Sequence, residues 1–140
     1  MISEIRPYFT TVAKSLGLKE HTDAFYDENI ASSVIDKSFH VLLEQGSLSR
    51  TDQLLLGMSI PCRVRFWIKG YQTPTQAVTK AEELAEVFIK EACKSSLRLS
   101  QACIKNVLPS TVQVEALTDD NDNVAQATIS FNVNGVIVLN

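Results

Sequence analysis

The sequence predicts an α+β domain: a mostly antiparallel β-sheet with two helices packed on one face, in the order α-β-β-α-β-β. Three observations predict it. From Ile60 to Lys69 apolar and polar residues alternate with period two, the mark of a half-buried strand. After Pro74 apolar residues recur every three or four positions, the mark of an amphipathic helix. Near the C-terminus two alternating runs are joined by a turn-rich stretch, the mark of a β-hairpin.

The elements follow in chain order. Ile5, Phe9, Val12 and Leu16 have helical spacing. Pro7 suits the first turn of that helix, and Gly17 is its expected stop. Lys19 to Asp36 reads as an ordered loop, with a short strand at Ser33-Val34-Ile35. Ser38-Phe39-His40-Val41-Leu42-Leu43-Glu44 is a strand. Residues 45–59 read as a flexible insertion or the tip of an extended hairpin. Next comes the best-defined strand, in which Ile60, Cys62, Val64, Phe66 and Ile68 face the core. Pro61, Arg63, Arg65, Trp67 and Lys69 then point outward.

The second helix has the strongest start signal. Thr73 is the expected N-cap, Pro74 the first helical residue, and Gln76 stands three after the cap. Val78, Ala81, Leu84, Ala85, Phe88, Ile89 and Ala92 form its apolar stripe, and Glu86 stands four before Lys90 as a favourable pair. From Ser95 to Pro109 the pattern is mixed, consistent with a short strand or a turn of helix. After Pro109, Val112, Val114 and Ala116 alternate with polar residues, and beyond the turn Ala127, Ile129, Phe131 and Val133 do the same. The chain ends Val136-Ile137-Val138-Leu139-Asn140, an apolar run that is either a last strand or a segment that docks on a neighbouring subunit.

Composition narrows the function. The chain has 140 residues, enough for one domain that buries roughly 70% of its unfolded surface. Thirteen basic against sixteen acidic residues give a net charge of −3, which argues against a protein that tracks nucleic-acid phosphates. No apolar run approaches the roughly 20 residues of a bilayer-spanning helix. Met1-Ile2-Ser3-Glu4 shows no basic segment leading into an apolar one, so no signal peptide is expected. Cys62, Cys93 and Cys103 form no C-x-x-C pair and read as reduced thiols, Cys62 and Cys93 as small core residues.

Candidate chemistry is sparse. His21 reads as a solvated loop residue and His40 as a residue on the outer face of a strand. Neither stands near a cysteine or carboxylate in a metal-ligand spacing. Asp119, Asn121 and Asn123 have the rhythm of a calcium loop, but Val124 replaces its glycine and Ser130 its bidentate glutamate. Asp119-Asp120-Asn121-Asp122-Asn123 reads instead as a hairpin turn. No metal and no cofactor is expected. Arg63, Arg65 and Lys69 beside the only tryptophan, Trp67, make either a solvated sheet face or a protein-contact face.

In element order the chain resembles the tail terminator proteins of long-tailed bacteriophages, also called tail completion or tail-to-head joining proteins. The resemblance lies in the short N-terminal helix, the strand from Phe39 to Glu44, a variable tip, and the strand from Ile60 to Gly70. It continues through the long helix from Pro74 and the hairpin strand Ala127-Thr128-Ile129-Ser130-Phe131-Asn132-Val133. It implies a structural virion protein, not an enzyme. Such a protein assembles in the bacterial host cytoplasm as a ring, usually a homohexamer, at the head-proximal end of the tail tube. It stops tube polymerisation and offers a surface to head-completion or stopper proteins. DNA passes through its lumen without specific binding, and no membrane is involved. Arg63, Arg65, Trp67, Lys69, Asp119, Asp120 and Asp122 are then the expected contacts with neighbouring subunits or the tube, as is the 45–59 tip, whose removal should leave the fold intact. Two other classes fit the residues. One is a small cytosolic thiol-dependent hydrolase built on Cys62 or Cys103 with His40; the other is an adaptor that binds a peptide at a sheet edge.

Overall fold

The computed structural model describes residues 2–20, 36–50, 52–95, 104–118 and 123–139. Its described residues form an α+β domain with a mixed sheet of six strands and two helices. A 3₁₀ turn (Ile2–Glu4) leads into α1 (Ile5–Ser15), β1 (Lys19–Glu20), β2 (Ser38–Leu43), β3 (Ser47–Arg50) and β4 (Leu55–Tyr71). Then come α2 (Pro74–Ser95), β5 (Ile104–Thr118) and β6 (Asn123–Val138). The sheet order is β1-β2-β4-β6-β5, with β3 also paired to β4.

The predicted order is therefore incomplete. Two further strands, β1 and β3, are present, and β1 pairs with β2 in parallel. β1 lies in the stretch expected to be loop; the expected strand at 33–35 lies outside the described residues. The residues expected as a tip divide between β3 and the first third of β4, where Leu55 to Ser59 pair with Val138 to Asn134. Met58 is buried there, so the whole of 45–59 is not removable without cutting a central strand. The C-terminal run is a strand of its own subunit: Val136, Ile137 and Val138 face Gly57, Leu56 and Leu55.

Two prolines explain where strands break. Pro61 sits inside β4 between two partners, yet its carbonyl accepts from Glu44 N–H at 2.9 Å. Its missing N–H would point to that same side, where residues 44–46 have left the strand between β2 and β3. Pairing on this side stops there, with only the Glu44 N–H bond made to residue 61. Pro109 lies within β5, which begins before it rather than after it. β5 is the last strand of the sheet, and its register shifts between Pro109 and Thr111, the edge-and-bulge setting that a strand proline needs.

The helix ends follow local chemistry. Thr73 Oγ1 accepts from Gln76 N–H at 3.2 Å, which caps α2. After α1, Gly17 N–H donates to Lys14 and Leu18 N–H to Ala13, each at 3.1 Å. This is the Schellman pattern, and it needs the left-handed φ of +83° that Gly17 supplies.

One core joins both helices to one sheet face. Ile5, Phe9, Val12 and Ala13 from α1 meet Ala85, Phe88 and Ala92 from α2 over Val64, Phe66, Ile129 and Phe131. Phe131 is the hub, with ring centroids 4.9 Å from Phe9 and 6.0 Å from Phe88. Each fully buried side chain of this kind contributes roughly 1.5–3 kcal/mol. Tyr8 O–H donates to the Ala92 carbonyl and ties α1 to the end of α2.

Gly46 sits against β4 at the break between β2 and β3. A Cβ there would lie 2.7 Å from Ile60 Cγ1 and 2.9 Å from the Ser59 carbonyl. Gly46→Ala is expected to lower stability by about 1–3 kcal/mol, read from urea unfolding, because the backbone on one side of the clash cannot give way.

Candidate functional site

Period two in β4 places Arg63, Arg65, Trp67 and Lys69 on the sheet face opposite the helices, as expected. That face is not uniformly open. Trp67 is 0% exposed, packed with Val124 and, less deeply, Leu117 across β6 and β5. Its indole N–H donates to Gln126 Oε1 at 3.0 Å, and Gln126 Nε2 donates to Glu115 Oε1 at 3.1 Å. Trp67 therefore anchors a small second core and is not part of an exposed contact face. Ser38 and His40 lie on the same side, opposite Trp67 and Arg65; His40 is thus on the outer face, as expected, but buried there.

The cations differ in freedom. Arg65 is half-buried, and its Nε donates to Thr128 Oγ1 at 3.3 Å. Burial, then the charge of Arg63, lower its pKa, while Glu115 raises it. Arg63 pairs with Glu44, and about a third of each side chain is exposed. The Lys69 backbone N–H donates to Asp36 Oδ1 at 2.8 Å, just before the bulge at Gly70, where φ is +94°. Asp119, Asp120 and Asp122 lie outside the described residues; they belong to the four-residue link between Thr118 and Asn123, which are paired.

The structure separates the thiol candidates. Cys62 is buried on the helix face of β4, paired with Leu43, whereas His40 pairs with Arg65 on the other face. The two cannot act on one substrate. Burial pushes the Cys62 thiol up to about 12; Arg6 lowers it and Glu44 raises it by smaller amounts. Cys103 lies outside the described residues. Among the described residues no group of three His, Cys, Asp or Glu side chains could hold a metal ion.

What pattern reading did not foresee lies at the ends and edges of the sheet. At the end where β3, β4 and β6 meet, Leu48, Leu54 and Val138 are each more than half exposed. The turn there is rigidly closed: Asp52 Oδ1 accepts from Leu54 and Leu55 N–H at 2.6 and 2.8 Å, and Arg50 donates to the Asp52 and Gln53 carbonyls. Along one side residues 44–50 are all exposed. Along the other, most of the long strand β5 is exposed, including Leu108 and Val112. A groove of about 500 Å³ runs between β5 and α2, lined by Glu82, Ala85, Glu86, Ile89, Val112 and Val114.

No family model matches this chain, and no curated protein shows a significant match to it.

Two outcomes follow. Trp67→Phe removes the donor to buried Gln126 and is expected to cost about 1–3 kcal/mol in urea unfolding; an exposed contact residue would change stability by no more than about 0.5 kcal/mol. Cys62 and Tyr8 have folded pKa values of about 12, above ordinary values of 9.0 and 10.0, both chiefly through burial. The unfolded chain therefore loses these protons first. Their stabilising contribution is complete below pH 9 and fades as pH rises from about 9 towards 12, which thermal melts across that range would register.

Proposed function

We propose that this chain is a structural component of a long-tailed bacteriophage virion, a tail terminator. It closes into a ring, in this reading a homohexamer, on the head-proximal end of the tail tube. There it ends tube polymerisation and presents the surface to which head-completion or stopper proteins attach. It transforms no substrate. It assembles in the cytoplasm of the bacterial host, and DNA passes through the ring without specific binding.

The observation that supports this reading is the pair of unlike sides on one sheet. A ring needs two different patches per subunit, each matched to the other and not to itself. The 44–50 side and the β5 side are two such patches. With neighbours joined at the sides, the ends of the strands become the two axial faces. They differ in chemistry: one carries exposed Leu54 and Val138, the other is where Thr118 and Asn123 pair, beside the acidic 119–122 stretch of the sequence. An end that matches the tube and an opposite end that does not repeat it is what stops a polymer. A net charge of −3 suits a channel that must not hold DNA.

One observation favours a second reading. A long exposed edge such as β5 is also where an adaptor adds a peptide as an extra strand.

Negative-stain electron microscopy separates the two. Closed rings that cap purified tail tubes support the terminator reading; a monomer that caps none and binds extended peptides overturns it. The variant Leu54→Asp changes an exposed side chain outside both sides, so it is expected to keep its melting temperature and still form rings but to lose tube capping.

A further inference from the structure

We infer that copies of this chain join head to tail, the β5–α2 side of one meeting the α1–β3 side of the next, with a continuous antiparallel sheet beneath a helix–helix contact of opposite charge. The inference rests on the ring reading and names the surfaces that make the ring.

Strand direction permits it. β3 runs antiparallel to β4, β4 to β6, and β6 to β5. β3 and β5 are thus antiparallel within one subunit. A rotation that carries one subunit to the next while keeping strands roughly aligned brings β5 beside β3 of the next copy in antiparallel orientation, with the helices still on one side. Level permits it too. Leu48 faces Met58, Met58 faces Gly135, and Gly135 faces Ile104. Leu48 and the start of β5 therefore stand at the same height on the same face. β5 pairs only with β6, and β3 only with β4, among the described residues. Each leaves a row of backbone groups for a partner strand.

Charge fixes the choice of occupant. The groove along β5 is apolar at its floor, where Val112 is 52% exposed, and its α2 rim carries the carboxylates of Glu82 and Glu86, the latter also paired with exposed Lys90 at 3.1 Å. Pairing two β5 strands about a two-fold axis would bring both acidic rims together, and like charges across a contact disfavour it. The opposite side of the domain carries the complement. α1 has two basic residues, Arg6 and Lys14, both exposed, and no acidic residue. At 100° per residue Arg6 lies on the flank of α1 away from Tyr8, the residue that reaches α2. Arg6 is also close enough to Cys62 to lower its pKa, which places it over β4 near the β2–β3 break. The cations of α1 in one copy thus meet the carboxylates of α2 in the next.

The test is light scattering with sedimentation across protein concentration and salt, on the whole chain. The variant Glu82→Lys, Glu86→Lys is expected to weaken self-association by at least about tenfold, as is Arg6→Glu, Lys14→Glu. Combining all four substitutions should restore it. Unchanged melting temperatures would show that each variant is folded. Assembly that stops at a dimer, or that ignores both reversals, overturns the inference; in the second case a ring seen by microscopy would survive on other surfaces. A chain that stays monomeric at every concentration overturns it as well, and tube capping by that monomer would then decide the terminator reading separately.

Discussion

Phe131 packs against Phe9 of α1 and Phe88 of α2, and the rest of the domain depends on that contact. Aromatic pairs at these separations add about 0.5–1.5 kcal/mol each beyond the area they bury. More important is where they put the helices. Both are drawn to the same side of β6, so one sheet face holds nearly the whole apolar core. The other face is stabilised by different contacts among the described residues.

The Trp67 network supplies part of that stability. Trp67, on the face away from α1 and α2, is nonetheless fully buried. Here Val124 and Leu117 pack against it, and Gln126 relays its indole N–H to Glu115. The polar tip of each side chain is spent on a neighbour within the sheet, and the same holds for Arg65 with Thr128 and Arg63 with Glu44. A face whose charges are already partnered is a poor sticking surface. Recognition is pushed to the sides and ends of the sheet, where Leu48, Leu54, Leu108, Val112 and Val138 remain exposed. In the proposed ring this places the contacts at the rims, which suits assembly within a plane.

Much of this was legible in the sequence because the signals are local. The cap Thr73, the proline after it and the three-to-four spacing through Ala92 defined α2. Alternation from Ile60 to Ile68 gave the correct inner and outer faces of β4. The failures are non-local. Trp67 was correctly oriented but its burial depends on residues more than 45 positions away. β1 is two residues long and exists through parallel pairing with β2, which no periodicity announces. Pro109 hid the start of β5, because a proline stops a strand unless it is at an edge and a bulge. The unlike sides that support the functional reading arise only once the strands are ordered in space.

The central claim is that two unlike sides of the sheet meet between copies. Hydrogen exchange of the chain at dilute and at assembling concentrations addresses it most directly. The account predicts that amides in 44–50 and 104–112 gain protection together on assembly, while the exposed side of α2 between Lys80 and Lys94 away from the groove does not. Assembly that protects neither strand segment, or only one of them, would contradict it.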